Sequence, residues 1–432
     1  MSSPRDLAAW LERIEAAHPR GADGIELGLE RVSRVSRQLG QQAGWPVILV
    51  GGTNGKGSVC AMLERILATS GYRVGLYTSP HLLRYNERIR VDLVAADDAA
   101  ICRAFERVEQ GRRDAGDAAL TYFEFATLAA WEVFAAAAPD VVILEVGLGG
   151  RLDATNIYPA DCCVVTTVDL DHMEFLGTDR DAIGFEKAGI FRPGVPAVCA
   201  DLSPPASLTA RARETGSPLS VLGRDFGFQP QEGQWLFWTR RDGEIARRGG
   251  LAHPGLRGAT QLANASCVLE VLERMRERLP VAMKDIRQGL IETELIGRFQ
   301  VLPGRPSIVL DVAHNPQAAR ALAANLGDSG FHPTTWAVIG MLADKDIGGV
   351  VEPLLPRVTH WMPCSLPGRR GAKADFLGEA VERAGGHVVA RFADVASALE
   401  AVRVGANPDD RILVFGSFLT VAAALEALGR TA

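Results

Sequence analysis

Apolar positions along this chain fall into two patterns, short unbroken runs and runs spaced by three and four residues. Leu7, Trp10, Leu11 and Ile14 recur at i, i+3, i+4 and i+7, the signature of an amphipathic helix. Residues 46–50 form an unbroken apolar run that ends in Gly51-Gly52, which predicts a buried strand feeding a glycine-rich loop. Residues 56–70 carry Val59, Met62, Leu63, Ile66 and Leu67 on one helical face, closed by Gly71. A strand follows at 74–78, then helices at 99–113 and 122–138. Residues 141–145 and 163–168 are fully apolar, as in a parallel sheet covered on both faces. Strands alternating with helices predict a doubly wound α/β domain.

The pattern changes near residue 220. Residues 234–239, with Leu236, Trp238 and an Asp242-Gly243 turn, predict a small β-hairpin insert, and 259–278 predict a helix. Gly297 to Pro306 is rich in Gly and Pro and marks a domain boundary. Beyond it the α/β rhythm restarts, with strands at 308–311, 336–339, 358–362 and 412–415. Helices start near Pro316, Ala372 and Asp394; a last one has Ser417 as its N-cap and Phe418, Val421, Ala422 and Leu425 on one face. No internal repeat is present. The expected organisation is a larger α/β domain over 1–297 and a smaller one over 298–432.

Composition narrows the function classes. A chain of 432 residues, 47% hydrophobic and 23% charged, folds for most of its length. Net charge is -6 and no lysine/arginine block appears, so no nucleic-acid partner is expected. The most apolar stretch, 133–146, is broken by Pro139 and Asp140 and falls short of the ~18–20 residues that cross a bilayer. Asp6, Glu12 and Glu15 interrupt the N-terminal segment, so it is expected to belong to the fold rather than to be a signal peptide. Cys60, Cys102, Cys162, Cys163, Cys199, Cys267 and Cys364 are odd in number and form no C-x-x-C pair, as expected of reduced thiols in a cytoplasmic protein.

Gly51-Gly52-Thr53-Asn54-Gly55-Lys56-Gly57-Ser58 is the strongest local signal. Backbone N–H groups of such a loop point into a concave space, the helix N-terminus adds positive potential, and lysine completes a polyphosphate cradle. Ser58 can offer its hydroxyl to a magnesium ion. The spacing departs from G-x-x-x-x-G-K-[ST], since Val stands at position 50 and Gly57 separates Lys56 from Ser58. A merely permissive turn is the plainer alternative. Ser79, Glu145, the run Gly147 to Asp153, and Asp169, Asp171 and His172 all follow predicted strands. Ligands of open parallel sheets bind outside such carboxyl ends. Oxygen donors suit Mg²⁺, and a histidine would also suit Mn²⁺. Each acid could equally cap a helix or hold an arginine. Glu186-Lys187-Ala188-Gly189-Ile190, taken alone, is a solvent-exposed Glu–Lys pair. Asn264, Arg298 and Asp311 are polar groups that could face a nucleotide across a domain cleft.

Read in order, the phosphate loop, Ser79-Pro80-His81, Thr121-Tyr122-Phe123-Glu124, Leu144 to Asn156, Asp171-His172, Glu186 to Ile190, Gly297-Arg298-Phe299, Asp311 to Pro316 and Gly416-Ser417 cover nearly the whole chain. Together they resemble the folylpolyglutamate synthase family of the Mur ligase superfamily, and within it the bacterial bifunctional dihydrofolate synthase/folylpolyglutamate synthases. The resemblance implies a P-loop ATPase-like domain with a small β insert, a Rossmann-like C-terminal glutamate-ligase domain, and an ATP-dependent amide ligase working through an acyl phosphate. Its substrates would be ATP, L-glutamate, dihydropteroate and reduced folates, and it would act as a cytoplasmic monomer. It implies that Thr53, Asn54, Gly55, Lys56, Gly57 and Ser58 hold the ATP phosphates, with Asn264, Arg298 and Asp311 contacting ATP from the junction and second domain. Ser79, Glu145 and His172 would bind Mg²⁺, with room for two ions, and Lys187 would be carbamylated. His314 would lie near the reacting phosphate, so that Lys56, Lys187 and His314 form the catalytic set. Ile25, Glu26 and Leu27, then Thr121, Tyr122, Phe123 and Glu124, then Leu152, Asp153 and Ala154 would meet the pterin.

The Tyr122-Phe123-Glu124 version of the pterin segment is the ground for the dihydrofolate synthase half; a monofunctional folylpolyglutamate synthase is the alternative. Gln261-Leu262-Ala263-Asn264 lacks the family's proline before that asparagine, and Ser58 stands where threonine is also common. A Mur-type peptide ligase would need a further domain ahead of the loop, and only 50 residues precede Gly51. A nucleotide-dependent binding protein without catalysis would not need Lys56, Ser58, Glu145, His172 and Lys187 together.

Overall fold

The computed structural model describes residues 6–17, 25–241 and 243–430. The chain divides into two compact units. One comprises Met1–His81, Tyr85–Pro254 and Leu262–Thr293; the other comprises Leu82–Arg84, Gly255–Gln261 and Glu294–Ala432.

The first unit is built on an eight-stranded sheet. Its strands are β1 (Val47–Gly51), β2 (Val74–Tyr77), β3 (Ile89–Val91), β4 (Val94–Ala95), β5 (Val141–Glu145), β6 (Cys162–Val165), β7 (Ala197–Cys199) and β8 (Leu219–Val221), in the order β4-β3-β2-β5-β1-β6-β7-β8. From β2 to β8 all neighbours are parallel, and β3 and β4 form an antiparallel edge. Every residue of β1, β2, β5 and β6 is buried, which is why these segments carry no polar alternation. The chain steps from β1 outward to β2, returns to insert β5, then crosses to β6 on the other side. Adjacent strands thus leave β1 in opposite directions, the topology that opens a crevice at their carboxyl ends. The register sets Val50 beside Glu145 and Gly51 beside Val165, so the loops that follow emerge side by side.

The helix Leu7–Ala17 buries Leu7, Trp10 and Ile14, as its spacing predicts. Trp131 stacks on Tyr158 with centroids 3.7 Å apart and planes 4° off parallel, at the heart of the core that covers one sheet face. Strand β6 stops at Val165, three residues short of the expected end, because Thr166 and Thr167 leave the ladder to bond the glycine-rich loop. The insert is a three-stranded antiparallel sheet rather than a hairpin: β9 (Phe226–Gln231), β10 (Gln234–Arg241) and β11 (Glu244–Leu251), with β10 central. The polar stretch Gln229-Pro230-Gln231 hid β9. A Cβ on Gly227 would stand 2.8 Å from the Trp238 ring, so glycine there lets the indole lie flat across the strand. Asp242, of the expected Asp242-Gly243 turn, lies outside the described residues. The helix expected over 259–278 is Gln261–Met275.

The second unit holds a five-stranded sheet of β12 (Gln300–Leu302), β13 (Ser307–Asp311), β14 (Thr335–Ile339), β15 (His360–Pro363) and β16 (Arg411–Phe415), ordered β12-β13-β16-β14-β15. Only β12 runs antiparallel. Its helices start where small polar caps stand. Asn315, Asp394 and Ser417 side chains accept from Ala318, Ser397 and Thr420 N–H groups, opening Pro316–Asp328, Val395–Gly405 and Phe418–Ala427. The strand expected at 358–362 begins at His360, and the helix expected near Ala372 begins at Ala374. Among the described residues no helix is long and apolar enough to cross a membrane. All seven cysteines are free, and six of them are buried.

Trp131→Ala removes a fully buried stacked ring, and is expected to lower the unfolding free energy by about 3–5 kcal/mol, read as a shifted urea midpoint with unchanged slope.

Candidate active site

The glycine-rich loop after β1 is fixed by two absent side chains. Gly52 has φ +140°, and a Cβ there would lie 1.8 Å from Thr166 Oγ1. Gly55 has φ +94°, and a Cβ there would lie 2.7 Å from Asn264 Oδ1. With glycine at both places the loop settles against the segment leaving β6. Thr53 N–H donates to Thr167 O at 2.7 Å, Asn54 N–H to Thr167 Oγ1 at 3.2 Å, and Thr166 Oγ1 to Asn54 O at 2.6 Å. Asp169 N–H donates to Thr53 Oγ1 at 3.1 Å. The helix Lys56–Thr69 then starts directly at the loop, so Gly57 lies in its first turn and Ser58 is buried behind it. The Lys56 ammonium folds back on Gly52 O and Thr53 O at 3.0 and 3.3 Å. Asn264 belongs to the first unit and packs on the loop at Gly55.

Ser79 and Glu145 leave the neighbouring strands β2 and β5. The Ser79 N–H donates to Glu145 Oε2 at 3.0 Å, and Glu145 is buried. His172 follows β6 with φ 50°, its Nε2 3.9 Å from Asp171 Oδ1. Among the described residues no cluster of three or more His, Cys, Asp or Glu side chains is arranged to hold a metal ion. The structure therefore joins Ser79 to Glu145 and places His172 on the loop past β6.

Lys187 overturns the plain reading of its motif. It is 3% exposed, near the end of the helix Arg180–Ala188, whereas its neighbour Glu186 turns to Arg151 at 2.8 Å. Burial, and then the positive charge of Lys56, push the Lys187 ammonium down to about 7, against the opposing pull of Asp171. Among the described residues that ammonium has no hydrogen-bond or ion-pair partner. A buried amine that is neutral near pH 7 is a nucleophile in waiting.

The three predicted pterin segments meet. Thr121 and Glu124 form a reciprocal capping box at the start of the helix Tyr122–Ala137. Phe123 lies over Gly147, where a Cβ would stand 2.6 Å from the ring. Asp153 is buried, and burial raises its carboxyl while donors from Thr155 and Leu148 pull it back. Gly28 N–H reaches Leu152 O at 3.4 Å, bringing the segment containing Ile25, Glu26 and Leu27 alongside Leu152. Sequence reasoning missed Arg31, whose Nε bonds Glu124 Oε2 at 2.9 Å across 93 residues, and the two threonines after β6. No local pattern marks either.

In the second unit Arg298, His314 and Phe418 gather at the carboxyl end of β13. The Arg298 guanidinium lies 5.7 Å from the centre of the Phe418 ring, and the His314 ring 6.5 Å from it. Asp311 accepts from Phe299 and Ala313 N–H at 2.9 and 2.8 Å. Burial pushes its carboxyl up, opposed by Arg298. Phe418 was not foreseen, since its helical position reads as core.

Residues 297–418 match the family model described as Mur ligase, glutamate ligase domain. Over 423 residues the chain is 42% identical to the dihydrofolate synthase/folylpolyglutamate synthase of Escherichia coli K12, spanning 98% of this chain and 95% of that protein. A solved structure of E. coli FolC in complex with DHPP and ADP matches at TM-score 0.92 and 40% identity, over 99% of each chain. A bifunctional folylpolyglutamate synthase/dihydrofolate synthase solved with Mn, AMPPNP and L-glutamate bound matches at TM-score 0.89 and 43% identity, over 99% of this chain and 100% of that one. With such identity over nearly its full length, the chain belongs to the dihydrofolate synthase/folylpolyglutamate synthase family.

Proposed function

We propose that this chain is an ATP-dependent amide ligase that adds L-glutamate to dihydropteroate, making dihydrofolate, and to reduced folates, making folylpolyglutamates. The observation that carries this reading is the convergence of the phosphate-type loop, the Ser79–Glu145 pair and Lys187 in one α/β unit, with the loop, Ser79 and Glu145 at the carboxyl ends of adjacent parallel strands. The relatives solved with ADP and DHPP, and with Mn, AMPPNP and L-glutamate, support it. Residues 1–297 would bind ATP and pterin, and 298–432 would serve the glutamate-ligase half.

In this reading N–H groups of Thr53 to Ser58 and the Lys56 ammonium hold the ATP phosphates, and Asn264 braces the loop. Arg298 and Asp311 serve the nucleotide from the second unit. Ser79, Glu145 and His172 would hold Mg²⁺; a hydroxyl and a carboxylate suit it, and the imidazole accommodates Mn²⁺ as well. The ion would neutralise phosphate charge. A substrate carboxylate is a poor electrophile because it is anionic. Its oxygen attacks the terminal phosphorus, the P–O bond to ADP breaks, and an acyl phosphate results. The amino group of L-glutamate then attacks the acyl carbon, phosphate departs, and the nitrogen gives up a proton to leave the amide. Lys56 would stabilise charge in both steps, and His314 would serve near the reacting phosphate.

Lys187 carries the finer part of the reading. Its neutral amine adds to CO₂ and loses a proton, leaving a carbamate that can help ligate a second ion. Burial and the nearby Lys56 charge outweigh Asp171 and favour the neutral amine that this exchange needs. The reduced thiols and acidic net charge support a cytoplasmic protein that binds no nucleic acid, and a monomer completes the proposal.

The deciding experiment is a pair of assays with Mg-ATP, L-glutamate and bicarbonate, one on dihydropteroate and one on a reduced folate, with products read by mass. Product in both is expected; product from the folate alone would make this a monofunctional folylpolyglutamate synthase. Lys56→Ala is expected to cost at least about 100-fold in turnover with circular dichroism unchanged; near-normal turnover rejects the loop assignment. Below about 7 the Lys187 amine is protonated and closed to CO₂; above it the amine is free. Stimulation by bicarbonate should therefore grow between pH 6 and pH 8 (roughly one unit either side of that value), and Lys187→Ala should abolish it. A flat bicarbonate response in the parent enzyme would remove the carbamate.

A further inference from the structure

Arg31 stands second in the helix Glu30–Leu39, inside the first turn, where the helix dipole disfavours a cation. Its contacts explain why a cation stays there. Nε donates to Glu124 Oε2 at 2.9 Å, one terminal nitrogen pairs with the Glu26 carboxylate, and the other donates to Glu26 O at 2.5 Å. Glu124 needs that charge. It is 3% exposed; Oε2 also takes the Thr121 N–H at 2.8 Å, while Oε1 is buried with no partner among the described residues. A buried carboxylate so poorly satisfied is stable only beside a cation. On the other side, the chain turns at Gly28, with φ +153°, and its N–H reaches Leu152 O. One guanidinium thus ties residues 25–28 to the start of the helix Tyr122–Ala137, and Gly28 ties them to Leu152.

We propose that Arg31 is a positioning residue for the pterin substrate, locking the segment around Glu26 and the Thr121–Glu124 turn into one slot without touching a reacting atom. The proposal rests on the reading of 25–27, 121–124 and 152–154 as the pterin-binding segments. It names a specificity role that the motif residues alone do not carry, because Arg31 lies outside every motif and acts through Glu124 and Glu26.

The test uses the full chain and its Arg31→Gln and Arg31→Lys variants. Dihydropteroate and AMPPNP are titrated separately by calorimetry, and kcat and KM are measured on dihydropteroate. Arg31→Gln should weaken dihydropteroate binding and raise its KM about 10- to 100-fold, the value of a lost charge-assisted contact. Its kcat at saturation and its AMPPNP affinity should stay within about twofold of the parent. Arg31→Lys should recover part of the loss, since an ammonium keeps the charge but lacks the fork that serves two carboxylates. Unchanged dihydropteroate affinity in Arg31→Gln overturns the role. So does an equal loss of dihydropteroate and AMPPNP affinity, which marks general loosening. A parent enzyme that binds AMPPNP but not dihydropteroate overturns the pterin reading itself, and this proposal with it, and that arm is read before any variant is made.

Discussion

The site in the first unit depends on the backbone at Gly52 passing so close to the Thr166 hydroxyl that only glycine fits there. No side chain of any size fits in the 1.8 Å that a Cβ would leave. Because glycine stands there, the loop after β1 and the loop after β6 share their hydrogen bonds instead of facing water. That contact sets where the helix Lys56–Thr69 begins, hence where Lys56 and the first-turn N–H groups point. It also ends β6 at Val165, so that Asp169, Asp171 and His172 sit on the loop beyond the strand rather than directly at its end.

Around this scaffold three acidic side chains have partners, and one buried lysine is left without a hydrogen bond. Glu145 is matched by the Ser79 N–H, Glu124 by Arg31, and Glu186 by Arg151. Lys187 has no such match, and Lys56 raises its cost further. A stability argument alone would remove such a lysine; a site that converts it to an anion would keep it. The second unit shows a milder form, in which the Asp311 carboxyl is pushed up by burial and held by Arg298 and two N–H groups.

Much of this was legible in the sequence, for identifiable reasons. Fully buried parallel strands leave unbroken apolar runs, so β1, β5, β13 and β16 could be placed almost to the residue. Caps such as Asp394 and Ser417 announce helix starts through local chemistry. What escaped depended on partners distant in sequence. Lys187 looks solvated until Glu186 is seen to turn to Arg151, 35 residues back. The packing of Asn264 on Gly55, 209 residues away in sequence, has no local signal. Arg31 has no motif at all, and β9 is too polar to stand out from a loop.

The seven free cysteines have a consequence for handling the enzyme. Cys60, Cys162, Cys163, Cys199, Cys267 and Cys364 are buried, and burial raises each of their thiols, so the thiolate that alkylating agents need is scarce as well as shielded. Cys102, on the helix Asp98–Asp114, is the one with partial solvent access. The native fold therefore offers a maleimide a single address, and a reporter dye can be attached there without stripping the protein of its other thiols.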